Sequence, residues 1–146
     1  MADTPVLVSA CLLGMRTRYD GTGKLNRELV EQLKGRRVIP VCPEQLGGLP
    51  TPRHASYLCE GAGEAVLAGN GRVVNTAGVD VTRQFICGAY ETLHIAQLLG
   101  AQEAFMKTRS PSCGKEETYI EQELRSGNGV CIALLLQHGI KVNQVD

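Results

Sequence analysis

Tryptophan is absent from this sequence, and four Tyr and two Phe bring the aromatic content to only 4%. A surface on which nucleic-acid bases stack needs exposed aromatic rings, so polymer binding of that kind is not expected. Charge of one sign is lacking too, since 15 Lys plus Arg stand against 15 Asp plus Glu. A nucleic-acid or polyanion partner would call for a basic surplus. Long hydrophobic runs are missing. The longest, residues 130–136, falls far short of the roughly 20 residues that span a bilayer, and no membrane partner is expected. Met1-Ala2-Asp3-Thr4-Pro5 has neither the basic start nor the apolar stretch of a secretory leader. A cytoplasmic protein is the expectation. Close-set metal ligands are absent as well. No two cysteines form a C-x₂-C pair, and His54, His94 and His138 show no ligand spacing.

What is there is an ordinary globular composition, 43% hydrophobic and 21% charged over 146 residues. That length suits one domain, 1–146, able to bury roughly 70% of its unfolded surface without a staple. Nothing in the pattern specifies an oligomer. The six cysteines, in a reducing compartment, read as thiols or metal ligands rather than disulfides.

Short apolar runs alternate with helical patterns. Strands are expected at 6–8, 37–41, 104–106 and 140–142. A first helix is expected after Asn26, with Leu25 and Val30 at hydrophobic-staple spacing and Gly35 at its end. A long helix, capped by Asp80 or Thr82, carries Phe85, Ala89, Leu93 and Ala96 on one stripe and stops at Gly100. A shorter helix is expected over 117–125, and a last one from Asn128 to about His138. Residues 65–67 and 72–74 flank Gly69-Asn70-Gly71 and read as a small β-hairpin insertion. The alternation predicts an α/β fold: a mostly parallel β-sheet flanked by helices, with that hairpin added.

Three cysteines follow the strand-like runs: Cys11 in Val8-Ser9-Ala10-Cys11-Leu12-Leu13-Gly14, Cys42 in Val41-Cys42-Pro43-Glu44, and Cys113 in Ser110-Pro111-Ser112-Cys113-Gly114. Strand carboxyl ends share one edge of a parallel sheet, where ligands bind. Three thiolates there could hold one metal centre, soft sulfur favouring zinc, copper(I) or an iron–sulfur cluster. The plainer reading, small buried hydrophobes, is the better fit for Cys87 and Cys131. Cys59 is the one other ligand candidate. Lys107, Arg109 and Arg53 read as solvated charges or as an attraction for an anionic substrate, and Asn128-Gly129 as an ordinary cap or an anion site.

Ser9-Ala10-Cys11-Leu12-Leu13-Gly14 with Arg18-Tyr19-Asp20-Gly21, Cys42-Pro43-Glu44 with Gly47-Gly48-Leu49-Pro50-Thr51-Pro52-Arg53, and Lys107-Thr108-Arg109-Ser110-Pro111-Ser112-Cys113-Gly114 resemble the DUF523 family. The resemblance runs in order through almost the whole chain. It extends to Gly78-Val79-Asp80-Val81-Thr82 and Gly127-Asn128-Gly129-Val130. That family includes single-domain thiouracil desulfidases. The resemblance implies a [4Fe–4S] cluster on Cys11, Cys42 and Cys113, with one iron left open. It implies removal of sulfur from a small thiolated pyrimidine, giving the oxo base and sulfide. Glu44 takes the place of the catalytic carboxylate and Ser110 that of the assisting hydroxyl, with Ser112 its rival. Tyr19, Asp20, Arg53 and Ser112 are expected at the substrate, while turn formation at Asp20-Gly21 explains the first two as well. One departure stands out: His54-Ala55-Ser56 follows Thr51-Pro52-Arg53 where relatives are expected to carry a further Pro and an acidic residue.

On this expectation the open iron takes the exocyclic sulfur as a Lewis acid. Glu44 deprotonates the attacking water, and no net redox change is needed. The rival chemistries are a Cys₃-zinc hydrolase of deaminase type, which lacks its H-x-E and C-x-x-C signature here, a persulfide sulfur carrier on Cys113, and a non-catalytic cluster-binding module.

Overall fold

A computed structural model describes residues 4–146. The leader reading falls mainly on residues 1–3, outside the described residues. Two four-stranded sheets organise the chain. The first runs in the order β2-β1-β5-β8, formed by β2 (Val38–Val41), β1 (Val6–Ser9), β5 (Glu103–Lys107) and β8 (Lys141–Val145), and every pairing in it is parallel. This is the α/β class that the alternation predicts.

The reason lies in the strands. Val6, Leu7, Val8 and Ser9 are all buried, as a strand covered on both faces requires. Side chains alternate across it. Leu7, with Ala104 and Met106, faces a cluster that includes Phe85, Ala89 and Leu93 of α4 (Thr82–Leu99) and Ile132 and Leu135 of α5 (Val130–Gln137). Val6 and Val8, with Phe105, face Leu12, Leu29 and Leu33. Leu29 lies in α1 (Arg27–Gln32), which Asn26 caps by accepting from the Leu29 amide at 2.9 Å. Pro40 is tolerated because β2 is an edge strand.

The register puts Ser9 opposite Val41 and Val8 opposite Phe105. The carboxyl ends of β1, β2 and β5 therefore come out together, and Cys11, Cys42 and the 108–113 loop follow them. α2 (Pro43–Leu46) begins immediately after Cys42. It lies backbone to backbone on α4. A Cβ on Gly88 would fall 1.8 Å from the Pro43 carbonyl oxygen, and one on Gly47 would fall 1.9 Å from that of Gln84. Only two glycines permit this approach.

The second sheet corrects two expectations. Its order is β4-β3-β6-β7, with β3 (Ser56–Cys59), β4 (Arg72–Asn75), β6 (Glu117–Ile120) and β7 (Glu123–Ser126). Residues 65–67 are not a hairpin arm but part of helix α3 (Gly63–Leu67), and β4 pairs instead with the earlier β3. Three-residue apolar runs fit either period, and Gly69-Asn70-Gly71 turns a helix into a strand here. Residues 117–125 are an antiparallel hairpin, not a helix. Thr118 and Ile120 are buried while Glu117 and Tyr119 are exposed, which is the strand period. Glu121 and Gln122 both take positive φ, 53° and 66°, as a two-residue hairpin turn demands. The helix-forming Glu, Gln, Leu and Arg in this segment lose to tertiary pairing.

At the long helix the N-cap position falls to Val81 rather than to Asp80 or Thr82, with Asp80 Oδ1 accepting from the Thr82 amide at 2.9 Å, and Gly100 ends it with φ 76°. Gly129 rather than Asn128 caps α5. The Asn128 side chain accepts from the Glu116 amide and donates to Glu64 Oε2, both at 2.8 Å.

Candidate metal and catalytic site

A cavity of about 480 Å³ opens where the strand ends of the first sheet face the second. Cys11, Cys42 and Cys113 all line it, together with Glu44, Ser110, Ser112, Tyr19 and Arg53. Asp20 is not among its lining residues. Its carboxylate accepts from the Thr22 amide and hydroxyl at 3.1 and 2.6 Å, which turns the loop and holds the Asp20 carboxyl below its usual range. Cys59, Cys87 and Cys131 do not line the cavity either; Cys59 is buried at the end of β3 and Cys131 inside α5. Ala55 and Ser56, in the segment that departs from the family pattern, line the cavity too. Four further residues, expected nowhere near the chemistry, do as well: Tyr57 and Thr76 around β3 and β4, and Tyr119 and Gln122 of the second hairpin. No local signal marks these four, because the pairing of the second sheet is not visible in the sequence.

Each thiol has a separate support. Cys11 sits in the 3-10 turn Ala10–Leu13 that continues β1, and Gly14 closes it at φ 92°. Cys42 caps α2. Cys113 rides a loop tied to the α5 N-terminus, where the Val130 amide donates to the Pro111 carbonyl and the Ile132 amide to that of Ser112. These bonds use the amides that an anion would need at Asn128-Gly129. A Cβ on Gly129 would lie 2.6 Å from the Ser112 carbonyl carbon, so the residue must be small.

Burial raises the pKa of all three thiols. At Cys11 the effect is reinforced by Cys42 and opposed by Lys107 and Arg18. At Cys42 the Gln45 amide and Arg53 oppose it. Cys113 is raised well above the ordinary value by burial and then by Cys131, with the Ser112 and Ser9 hydroxyls pulling the other way. A metal group binds the thiolate form, so burial works against capture and capture releases protons. The donor set, three soft sulfurs with cations nearby, fits a thiolate-ligated metal group. Among the described residues no three His, Cys, Asp or Glu groups gather tightly enough to share one metal ion.

Glu44 stands beside the sulfurs at the start of α2, and its side chain is 12% exposed. Oε1 accepts from Arg53 Nε at 3.0 Å, and Oε2 accepts from Ser112 Oγ at 3.1 Å. Ser112 Oγ is also 3.0 Å from Ser110 Oγ and 3.5 Å from Cys113 Sγ. Ser110 Oγ accepts from the amides of Ser112 and Cys113 at 3.2 and 3.1 Å. A carboxylate only accepts, so Ser112 donates to Glu44 and Ser110 donates to Ser112. The hydroxyl touching the carboxylate is therefore that of Ser112, while Ser110 also folds the loop.

The fold and the pocket define an α/β protein with a thiol-lined pocket at the strand ends of a parallel sheet. Residues 6–146 match the family model described as 2-thiouracil desulfurase, and the chain belongs to that family. It is similar to "Uncharacterized protein YbbK" of Bacillus subtilis (strain 168), 36% identical over 140 residues that cover 94% of this chain and 93% of the other. It is also similar to the solved structure titled "[4Fe-4S]-dependent thiouracil desulfidase TudS". That likeness has a TM-score of 0.82 and 38% identity, covering 97% of this chain and 91% of that one.

Proposed function

We propose that this protein, as one domain over 1–146, is a cytoplasmic [4Fe–4S]-dependent desulfidase acting on a small thiolated pyrimidine of the thiouracil type. The observation that carries the reading is the meeting of Cys11, Cys42, Cys113 and Glu44 in one cavity, in a chain of the 2-thiouracil desulfurase family. Cys11, Cys42 and Cys113 would hold the cluster. A cluster takes each protein sulfur on a different metal atom. Six free thiols also suit a reducing compartment. When bound, the cluster supplies an open Lewis-acid iron with affinity for the soft exocyclic sulfur of the substrate.

The protein's own residues supply the rest. Glu44 takes a proton from water as general base, the water oxygen bonds to the ring carbon, and the carbon–sulfur bond breaks. The base keeps oxygen, sulfide departs, and no electron is transferred. Ser112 Oγ–H, on Oε2, orients the carboxylate and can pass a proton along the pair with Ser110. Tyr19, Tyr57 and Tyr119 line the same cavity and offer ring faces to a planar substrate. Lys107 and Arg18 place positive charge where a thiolate tautomer or leaving sulfide carries negative charge.

The test is iron and acid-labile sulfide per chain after anaerobic reconstitution, followed by a thiouracil assay. Wild type should hold about four of each. Cys11→Ala, Cys42→Ala and Cys113→Ala should each lose them, while Glu44→Gln should keep them and slow turnover about 10²–10⁴-fold. Stoichiometric zinc, or cysteine variants with full iron, would sink the reading.

A further inference from the structure

Arg53 lines the pocket, yet four of its five donors are already committed within 3.2 Å, and the fifth faces Cys42 Sγ. A guanidinium carries five N–H groups in a rigid fork. Nε donates to Glu44 Oε1 at 3.0 Å. Nη1 donates to the Pro50 carbonyl at 3.2 Å and to Thr51 Oγ1 at 2.9 Å. Nη2 donates to the Thr17 carbonyl at 2.9 Å and points its other hydrogen at Cys42 Sγ, 4.0 Å away. The Arg53 amide donates in addition to the Tyr19 carbonyl at 2.7 Å. The side chain is 7% exposed. A substrate atom would have to break one of these bonds to reach it, and a stripped buried partner costs more than the bond returns.

We propose that Arg53 is a positioning residue that acts through Glu44, and that it does not bind substrate. This inference rests on the desulfidase reading. Glu44 has three rotatable side-chain bonds, and a free carboxylate in a pocket would sample several rotamers. The Arg53 fork ties Oε1 to the loops that carry Thr17, Pro50 and Thr51. Ser112 holds Oε2 from the loop after β5. The carboxylate is thereby gripped at both ends, with a lone pair on each oxygen left for water. A lysine would carry the charge but not the fork, and could not hold Glu44, Thr17 and Thr51 together. The same guanidinium beside Cys42 couples the carboxylate to the thiol wall. Recognition of the substrate falls to other lining groups, Tyr57 and Tyr119 among them.

The experiment compares wild type, Arg53→Ala, Arg53→Lys, Glu44→Ala and the Glu44→Ala/Arg53→Ala double variant. Each is reconstituted with its cluster and checked for iron content and melting temperature. Turnover of 2-thiouracil is measured together with its dissociation constant from perturbation of the cluster absorption. Arg53→Ala should lower kcat about 10–100-fold, as small misplacements of reacting groups do, with KM and the dissociation constant within about twofold of wild type. The double variant should be no slower than Glu44→Ala within about twofold, because two residues acting as a unit are non-additive. Arg53→Lys should fold and hold iron yet stay as slow as Arg53→Ala. It carries the comparison if the alanine variant loses its cluster. A raised KM and dissociation constant with kcat preserved would overturn the inference, as would a full further loss in the double variant or a lysine variant with wild-type kcat. A wild type that turns over no thiolated pyrimidine overturns the desulfidase reading and this inference with it. Wild-type turnover with additive losses overturns this inference alone.

Discussion

The two sheets that meet at the pocket are held in different ways. The first is parallel throughout and covered on both faces, and its aligned strand ends deliver the thiols and the carboxylate. Its helices are pinned by backbone contact, as where Gly47 and Gly88 let α2 rest on α4. The second sheet joins through a short span. β3 and β6 share the single register pair Leu58 and Ile120, and all four residues of β7 are exposed. It brings tyrosines and a hairpin turn to the opposite wall. The contrast teaches a division of labour. Groups that must converge within bonding distance need a scaffold with little freedom, while a wall that encloses a flat ring tolerates more.

That division can be broken from the rigid side first. Gly88→Ala places a methyl group against the carbonyl of Pro43, the residue immediately before Glu44. Alanine gains up to about 1 kcal/mol of helix propensity, and the forced shift of α2 costs about 1–3 kcal/mol or more. The net expectation is a lower melting temperature and reduced iron uptake. An unchanged iron content with full turnover would show that α2 has slack and would erase the contrast.

A smaller effect sharpens the contrast within the catalytic wall. Ser112→Ala removes the donor to Glu44 Oε2 and should slow kcat roughly 10-fold, the order of one lost hydrogen bond to a charged group, with melting little changed. Ser110→Ala leaves the Ser112 and Cys113 amides without their acceptor and should cost about 1–2 kcal/mol of stability. Denaturant unfolding beside kinetics separates the two. Equal kinetic losses with equal stability would dissolve the distinction between them.

The smallest effect belongs to the second sheet. Tyr119→Ala should raise KM several-fold, about 1 kcal/mol of ring contact, and leave kcat and iron content intact. A collapse of kcat would instead place the second sheet inside the chemistry.

Much of the first sheet was legible beforehand. Val6-Leu7-Val8, Val38-Ile39-Pro40-Val41 and Ala104-Phe105-Met106 are short apolar runs cut by Pro, Gly or Ser, and each precedes a cysteine motif. Asn26 and Gly100 punctuate helices as local rules require, while the first helix ends at Gln32 with Leu33 as its cap, short of Gly35. Of the second sheet only β4, expected over 72–74, was legible. Glu121 and Gln122 occupy a turn that usually advertises itself with Asn or Gly, and residues 117–125 are rich in helix formers. Residues 65–67 are too few to show a period.

Local chemistry in the chain therefore determined the strand-and-helix alternation, the positions of the three cysteines behind strand ends, and the carboxylate two residues beyond Cys42. Those features depend on neighbours within one or two turns. Tertiary structure alone decided that Ser112 reaches Glu44 across 68 residues, that Arg53 ties Glu44 to the Thr17 carbonyl, and that tyrosines from the second sheet line the pocket. Each of these is a contact between distant segments, fixed by packing and by which buried polar groups can be satisfied together.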